Sequence, residues 1–226
     1  MRDIDTSIVE ASWFPTDHLT HENFDNPSDY LQCELSDDWG TEAITDRHGD
    51  LLRVCFVPQN HGEEQWVTLD VPTLGSQSTI AAWILASNLN SSQLVGPGAS
   101  PAIVVEDERV GFSLKEGETR HTIVELAHDE PNEWAFYVGT ISHDGQDTTI
   151  RFYKNFDGST GLVGDKRIAD WSFDGQPCPF LVSGGEGGTG PCDAFPWKAA
   201  QKASFDDIRV YDRALSEPEI AELFDE

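Results

Sequence analysis

Hydrophobic and polar positions along this chain alternate in short runs that turn-forming residues interrupt. Residues Gln65 to Val71 place Trp66 and Thr68 on one face and Val67, Leu69 and Val71 on the other, the period of a half-buried strand. Residues 79–85 (TIAAWIL) are apolar almost throughout, as in a strand buried on both faces. Further strands are predicted over 102–105, 110–114, 121–126, 134–141, 148–153 and 204–211. The separators GPG, KEGE, HDEPNE, SHDGQD and NFDGSTG are rich in residues that make turns. Many short strands with regular turn signals predict an all-β chain, either a sandwich or a jelly roll.

Helix is scarce. The one clear signal is Ser216 to Phe224, where Ser216 stands at the capping position and Glu219 follows three residues later, as in a capping box. Ile220 and Leu223 share one face of this helix and are expected to pack down. A strand is also predicted over 49–57 through Leu51, Leu52, Val54 and Phe56. Residues 1–30 read as an N-terminal arm or peripheral strand, and 31–226 as one domain. Within it, residues 164–203 form a long insertion carrying Gly, Trp and Cys; loops of that length carry function or are covered by a partner.

Composition adds a solvent to this picture. The 226 residues hold 41 acids against 14 Lys and Arg, a formal net charge of -27. The acids are scattered along the whole length, so they form a coating and not a tail. Such a surface repels itself in ordinary buffer, and most of that repulsion vanishes at about 1 M salt, where the screening length is about 3 Å. The composition therefore points to a salt-loving source. It argues against nucleic acid, which needs a Lys/Arg footprint, and against anionic membrane surfaces. Met1-Arg2-Asp3-Ile4-Asp5 is not the start of a secretory signal, and no apolar stretch is long enough for membrane insertion. The expectation is synthesis and assembly in a cytoplasm.

Three segments resemble the laminin G-like (concanavalin A-like) jelly-roll family. They are QWVTLDVPTLGSQSTIAAWIL (65–85), EWAFYVGTISHDGQDTTIRFYKN (133–155) and ASFDDIRVYDRALSEPEIAELF (203–224). The third is the most specific, with Phe205, Asp206, Asp207, Ile208, Arg209, Tyr211, Arg213, Ala214 and Leu215 all falling on the family's pattern. The resemblance implies a β-sandwich of two antiparallel sheets with a short C-terminal helix. It also implies a possible structural calcium near Asp206 and Asp207, because family members often hold one and calcium takes carboxylate and carbonyl oxygens. No cofactor is otherwise required. Fold alone does not decide activity, since this one hosts lectins, adhesion modules, glycoside hydrolases, lyases and virion parts.

Candidate chemistry is sparse. Glu106 and Glu108 are the nearest approach to the paired strand carboxylates a retaining glycosidase needs, about 5 Å apart, but they sit in a predicted turn. Arg120 and His121 are adjacent and point to opposite faces, so they do not make a lyase cluster, and no GxSxG occurs. The glycine run 184–190 lacks the GK[ST] of a phosphate loop. Trp83 and Trp134 fall in core strands. Trp171 and Trp197, in the insertion, are candidate sugar platforms or members of a small satellite core. Cys33, Cys55, Cys178 and Cys192 allow three pairings. Cys178 and Cys192 bracket the glycine-rich loop, and a bridge there is worth about 3 kcal/mol in the chain-entropy model; cytoplasmic folding favours free thiols instead.

These readings favour a non-catalytic recognition or structural module. An adhesive fold without an export signal fits a virion surface or tail-associated protein of a halophilic virus, contacting host glycans or glycoproteins and working within a homo-oligomer or other assembly. The alternative is a secreted carbohydrate-binding module or a glycan-active enzyme from a halophile.

Overall fold

The computed structural model describes residues 71–86, 92–97, 100–106, 109–117, 119–124, 133–175, 177–178, 180–182 and 203–226, with the backbone of three short strands at 20–22, 55–57 and 67–69. In chain order the strands are β1 (Thr20–Glu22), β2 (Cys55–Val57), β3 (Val67–Leu69), β4 (Ser78–Ala86), β5 (Ser92–Pro97), β6 (Ala102–Glu106) and β7 (Arg109–Glu116). Then come β8 (Thr119–Val124), β9 (Trp134–His143), β10 (Thr148–Lys154), β11 (Leu162–Ile168), β12 (Phe180–Val182) and β13 (Ala203–Tyr211), followed by helix α1 (Glu217–Asp225). Every pairing is antiparallel. One sheet runs β1–β13–β4–β9–β10–β11, with β2 beside β1 on the same edge of β13; the other runs β3–β12–β5–β6–β7–β8. This is the two-sheet jelly-roll sandwich expected from the sequence.

The sheets pack face to face through alternate residues of each strand. Ile80, Ile84, Tyr137, Ile141, Ile150 and Phe152 from the first meet Ile103, Val105, Val110, Phe112 and Leu114 from the second. One contact sets the spacing. Gly139 of β9 lies under the ring of Phe112, and any Cβ there would overlap that ring. Phe112 stacks parallel to Phe152, its centroid 6.5 Å away, and Phe152 stacks in turn on Tyr137 at 5.9 Å. The sequence runs nearly continuously apolar in β4 because its other face is covered too.

That other face is roofed by α1. Ala81, Phe136, Val138, Tyr153 and Tyr211 form a second core with Leu215, Ile220 and Leu223. Trp83 stacks on Phe224 at 5.6 Å and leans on Phe136. The helix starts as its sequence predicts. The Glu219 carboxylate accepts from both the backbone N–H and the hydroxyl of Ser216 and pairs with Arg213 at 2.8 Å. Thr79 of β4 fastens the preceding turn, donating to the Arg213 carbonyl and accepting from the Leu215 N–H.

β12 and most of β11 fall inside the segment 164–203 read from sequence as a long insertion. β11 completes the edge of the first sheet beside β10, and β12 sits between β3 and β5 in the second. Residues 183–202 lie outside the described residues, as do most of residues 1–30. Within 1–30, β1 pairs with residues 208–210 of β13. Among the described residues, no helix is long and apolar enough to cross a membrane.

Candidate functional site

The free edges of the two sheets meet at β8 and β11. Gly164 of β11 lies so close to β8 that a Cβ would stand 3.2 Å from Ile123 Cγ2. On β8, His121 pairs with Leu114 and Ile123 with Phe112, so strand alternation turns His121 toward the core and Arg120 away from it. Burial lowers the pKa of Arg120, against the pull of Glu106.

Trp171 closes this seam. After β11 the chain turns at Asp170, whose φ of 53° is left-handed, and returns across the end of the sandwich. The Thr148 hydroxyl holds the Trp171 carbonyl at 2.7 Å. Below it, the nearly buried carboxylate of Asp147 accepts from the Asp170 N–H at 2.8 Å and from the Arg167 guanidinium. Asp144 caps the neighbouring hairpin, and the N–H groups of Asp147 and Gln146 hold its carboxyl below the usual range. The indole is half-buried against the inter-sheet core, beside Phe173 and with the His121 ring 6.4 Å away.

His121 Nε2–H donates to the Glu116 carboxylate at 2.8 Å. Its side chain is 13% exposed and that of Glu116 36%. The other ring nitrogen, Nδ1, is buried without a hydrogen-bond partner among the described residues. One aromatic face, one carboxylate and one imidazole with spare hydrogen-bonding capacity thus share the seam. Glu116 and His121 were not singled out as a site in the sequence, because their partner Trp171 lies about fifty residues away and only the fold joins them.

Of the residues picked from sequence, Trp171 is placed here, as part core and part surface. Trp197 lies outside the described residues. Cys178 is disulfide-bonded; Cys192, its expected partner, also lies outside them. Trp83 is packed under α1, and Trp134 begins β9 opposite Leu85. Glu106 ends β6 opposite Arg109, the hairpin position foreseen for it.

Asp206 and Asp207 are both buried, at a bulge in β13 where Asp207 takes a φ of 48°. Asp206 Oδ1 accepts the Asp207 N–H at 2.9 Å, and Asp207 Oδ1 faces the Arg209 guanidinium at 3.5 Å. Arg209 also pairs with Glu226. Burial disfavours its cation, but the bond to Glu226 and the charge of Asp207 outweigh this, so its pKa is raised. A guanidinium already supplies the positive charge here, and this donor set does not fit a calcium ion. No group of three or more His, Cys, Asp or Glu among the described residues could hold a metal.

No curated protein sequence matches the chain. The solved binding domain of paraclostridial mosquitocidal protein 1 is similar at 20% identity and a TM-score of 0.51, covering 70% of this chain and 40% of that one. The native heptameric SAP-like pentraxin from Limulus polyphemus is similar at 15% identity and a TM-score of 0.50, covering 73% and 77%. The receptor binding domain of botulinum neurotoxin D is similar at 14% identity and a TM-score of 0.51, covering 74% and 42%. At these identities the likeness is one of fold, and this chain spans well under half of each toxin domain. The family model of the concanavalin A-like lectin/glucanase superfamily matches residues 61–221, running from β3 through the sandwich and into α1. With that span matched, and the two sheets and closing helix in place, the chain belongs to the concanavalin A-like lectin/glucanase superfamily.

Proposed function

We propose that this chain is a non-catalytic recognition module that binds glycans or glycoproteins, carried on the surface or tail of a halophilic virus. The observation that carries the reading is Trp171, an aromatic ring held half-exposed at the rim of a lectin-type sandwich by a dedicated set of hydrogen bonds. Loop-borne aromatic faces on a rigid scaffold serve recognition. The net charge of -27 supports the salt-loving setting. Assembly into a homo-oligomer would multiply weak single-site binding.

A second reading is a glycan-active enzyme. The His121–Glu116 hydrogen bond favours it, since such pairs move protons in general acid–base catalysis. It predicts release of new reducing ends from a polysaccharide, which binding alone does not produce.

The test is an array of glycans and surface glycoproteins probed in about 2 M KCl, where exposed charges are largely screened, with and without a chelator. Selective binding abolished by Trp171→Ala or Trp197→Ala supports the module reading. Chelator sensitivity would add a metal to the reading. Silence across the array from folded protein sinks the glycan part of the proposal.

A further inference from the structure

We infer that the outer face of the six-stranded sheet is a docking surface for this chain's own residues 183–202, which run back along β12 to a Cys178–Cys192 bond and then return toward β13. The inference does not depend on what the seam binds.

Among the described residues, every buried apolar side chain belongs to the inter-sheet core or to the core under α1 except three: Ala102, Val104 and Leu181. Their neighbours Ile103, Val105, Phe180 and Val182 point into the sandwich, so alternation turns these three outward. Gln93 faces out beside Val104, and Ser113 beside Ala102. Ala102, Val104 and Gln93 nevertheless have no exposed surface, and Leu181 keeps only 3%. A bare outer face of an antiparallel sheet is wet, so this one is covered. None of the described elements covers it, because the strands are all taken up in the two sheets and α1 packs on the outer face of the other.

The surface is shaped to receive backbone. Gly96 stands opposite Leu181 and Gly111 opposite Val104, which keeps the floor low. The Gln93 side chain donates from Nε2 to the Gly96 carbonyl, and its Oε1 is buried without a hydrogen-bond partner among the described residues. A buried amide oxygen calls for a donor, and a backbone N–H passing above it is one.

Topology selects the segment. β13 starts at Ala203 opposite Ala86, and only residues 87–91 separate Ala86 from the start of β5, which is in the same sheet as β12. Residues 183–202 therefore leave and rejoin the sandwich at one end, with far more chain than a sheet spacing of about 10 Å requires. Cys178, before the opposite end of β12, is disulfide-bonded. Cys55 is in β2 and Cys33 in the stretch between β1 and β2, both strands held on β13 in the other sheet. β12 has β3 and β5 on its two sides and core side chains on its inner face, so chain running from residue 183 back to Cys178 has only the Leu181 side to follow. The glycines of 184–190 let that first leg turn and lie flat. The second leg, 193–202, then brings Phe195 onto the apolar floor around Val104.

The test is methyl NMR of the full chain in high KCl, with a non-reduced digest read by mass spectrometry. We expect nuclear Overhauser contacts from the Val104 and Leu181 methyl groups to protons of residues 183–202, and a peptide pair joining Cys178 to Cys192. A dissolved paramagnetic probe should leave both methyls sharp in wild type. In the Cys178→Ser, Cys192→Ser double variant it should broaden them toward the level of Leu162, which is 44% exposed, while the Ile80 and Ile103 methyls stay sharp and report an intact sandwich. Contacts to residues 1–66 instead overturn the inference, as does a digest joining Cys178 to Cys33 or Cys55. Val104 and Leu181 methyls that the probe reaches in wild type overturn it as well. If the double variant does not fold, the wild-type contacts and digest decide alone. Each of these failures leaves the reading of the Trp171 seam standing.

Discussion

The outer face of the seven-stranded sheet and the seam between β8 and β11 are closed by opposite means. Under α1 the closure is apolar and dense, with Trp83 stacked on Phe224, both rings tilted against Phe136 and Ile220 wholly buried. At the seam the closure is one half-buried indole, a histidine with an unmatched nitrogen and a carboxylate open to solvent. An aliphatic closure would have stabilised the seam more, as it does the helix face. The contrast, polar groups at one closure and apolar ones at the other, is what supports the proposed site at the seam.

Mutations should separate the two. The largest effect is expected under the helix: Ile220→Ala should cost about 2–5 kcal/mol by lost burial and cavity formation, read by denaturant unfolding, while leaving any glycoside affinity of the folded fraction unchanged. A smaller effect is expected at the clasp. Asp147→Ala strands the Asp170 N–H and frees Arg167, which is mostly exposed, so about 1–2 kcal/mol after solvent screening; here binding should fall with stability, because Trp171 loses its seat. An intact affinity in Asp147→Ala would erase the contrast.

The smallest effect is a pH dependence at the start of α1. The hydrogen bond from Arg213, opposed by partial burial and helped by Ser216, holds the Glu219 carboxyl below its ordinary pKa. A depressed folded-state pKa stabilises the protein above the unfolded-state value, and this contribution is lost as pH falls through the folded value. Wild type should therefore exceed Glu219→Gln by at most about 1 kcal/mol at neutral pH, and the two should converge in acid. Melting temperatures of both across the carboxylate range check this, and a gap that persists in acid would be evidence against the ion pair.

Much of the fold was legible because its longer strands carry a clean period. β4, β7, β9, β10 and β13 combine apolar alternation with flanking turn residues, and α1 carries its capping pair in sequence. Three strands were not legible, for separate reasons. β5 (SQLVGP) ends in Gly96 and Pro97, residues of a turn vocabulary. β11 (LVGDKRI) is an edge strand with only Ile168 buried, so it shows no apolar period. β12 is three residues long among Cys, Pro and Gly, and its burial on both faces has too little length to announce itself. The site was half legible. Trp171 stood out as a loop aromatic, but nothing local links it to His121, whose neighbours in sequence are Arg120 and Thr122. The Asp206–Asp207 pair looked like a cation site because sequence cannot show that Arg209, two residues on, turns back toward it across the bulge.

The placement of β13 also governs when this molecule can fold. It is the last strand of the chain, yet it lies inside its sheet, between β4 on one side and β1 and β2 on the other. A ribosome that has delivered everything up to β12 has produced a sheet whose β4 still presents a bare edge, its backbone N–H and C=O groups on that side unpaired. Domains made from local contacts can settle as they emerge; this one must wait for residues 203–211, and its pairings span more than a hundred residues of chain, a topology that folds slowly. The interval between exposing β4 and supplying β13 is therefore the time when the nascent chain is most open to mispairing, and the cellular machinery that shields strand edges has its work set by that interval.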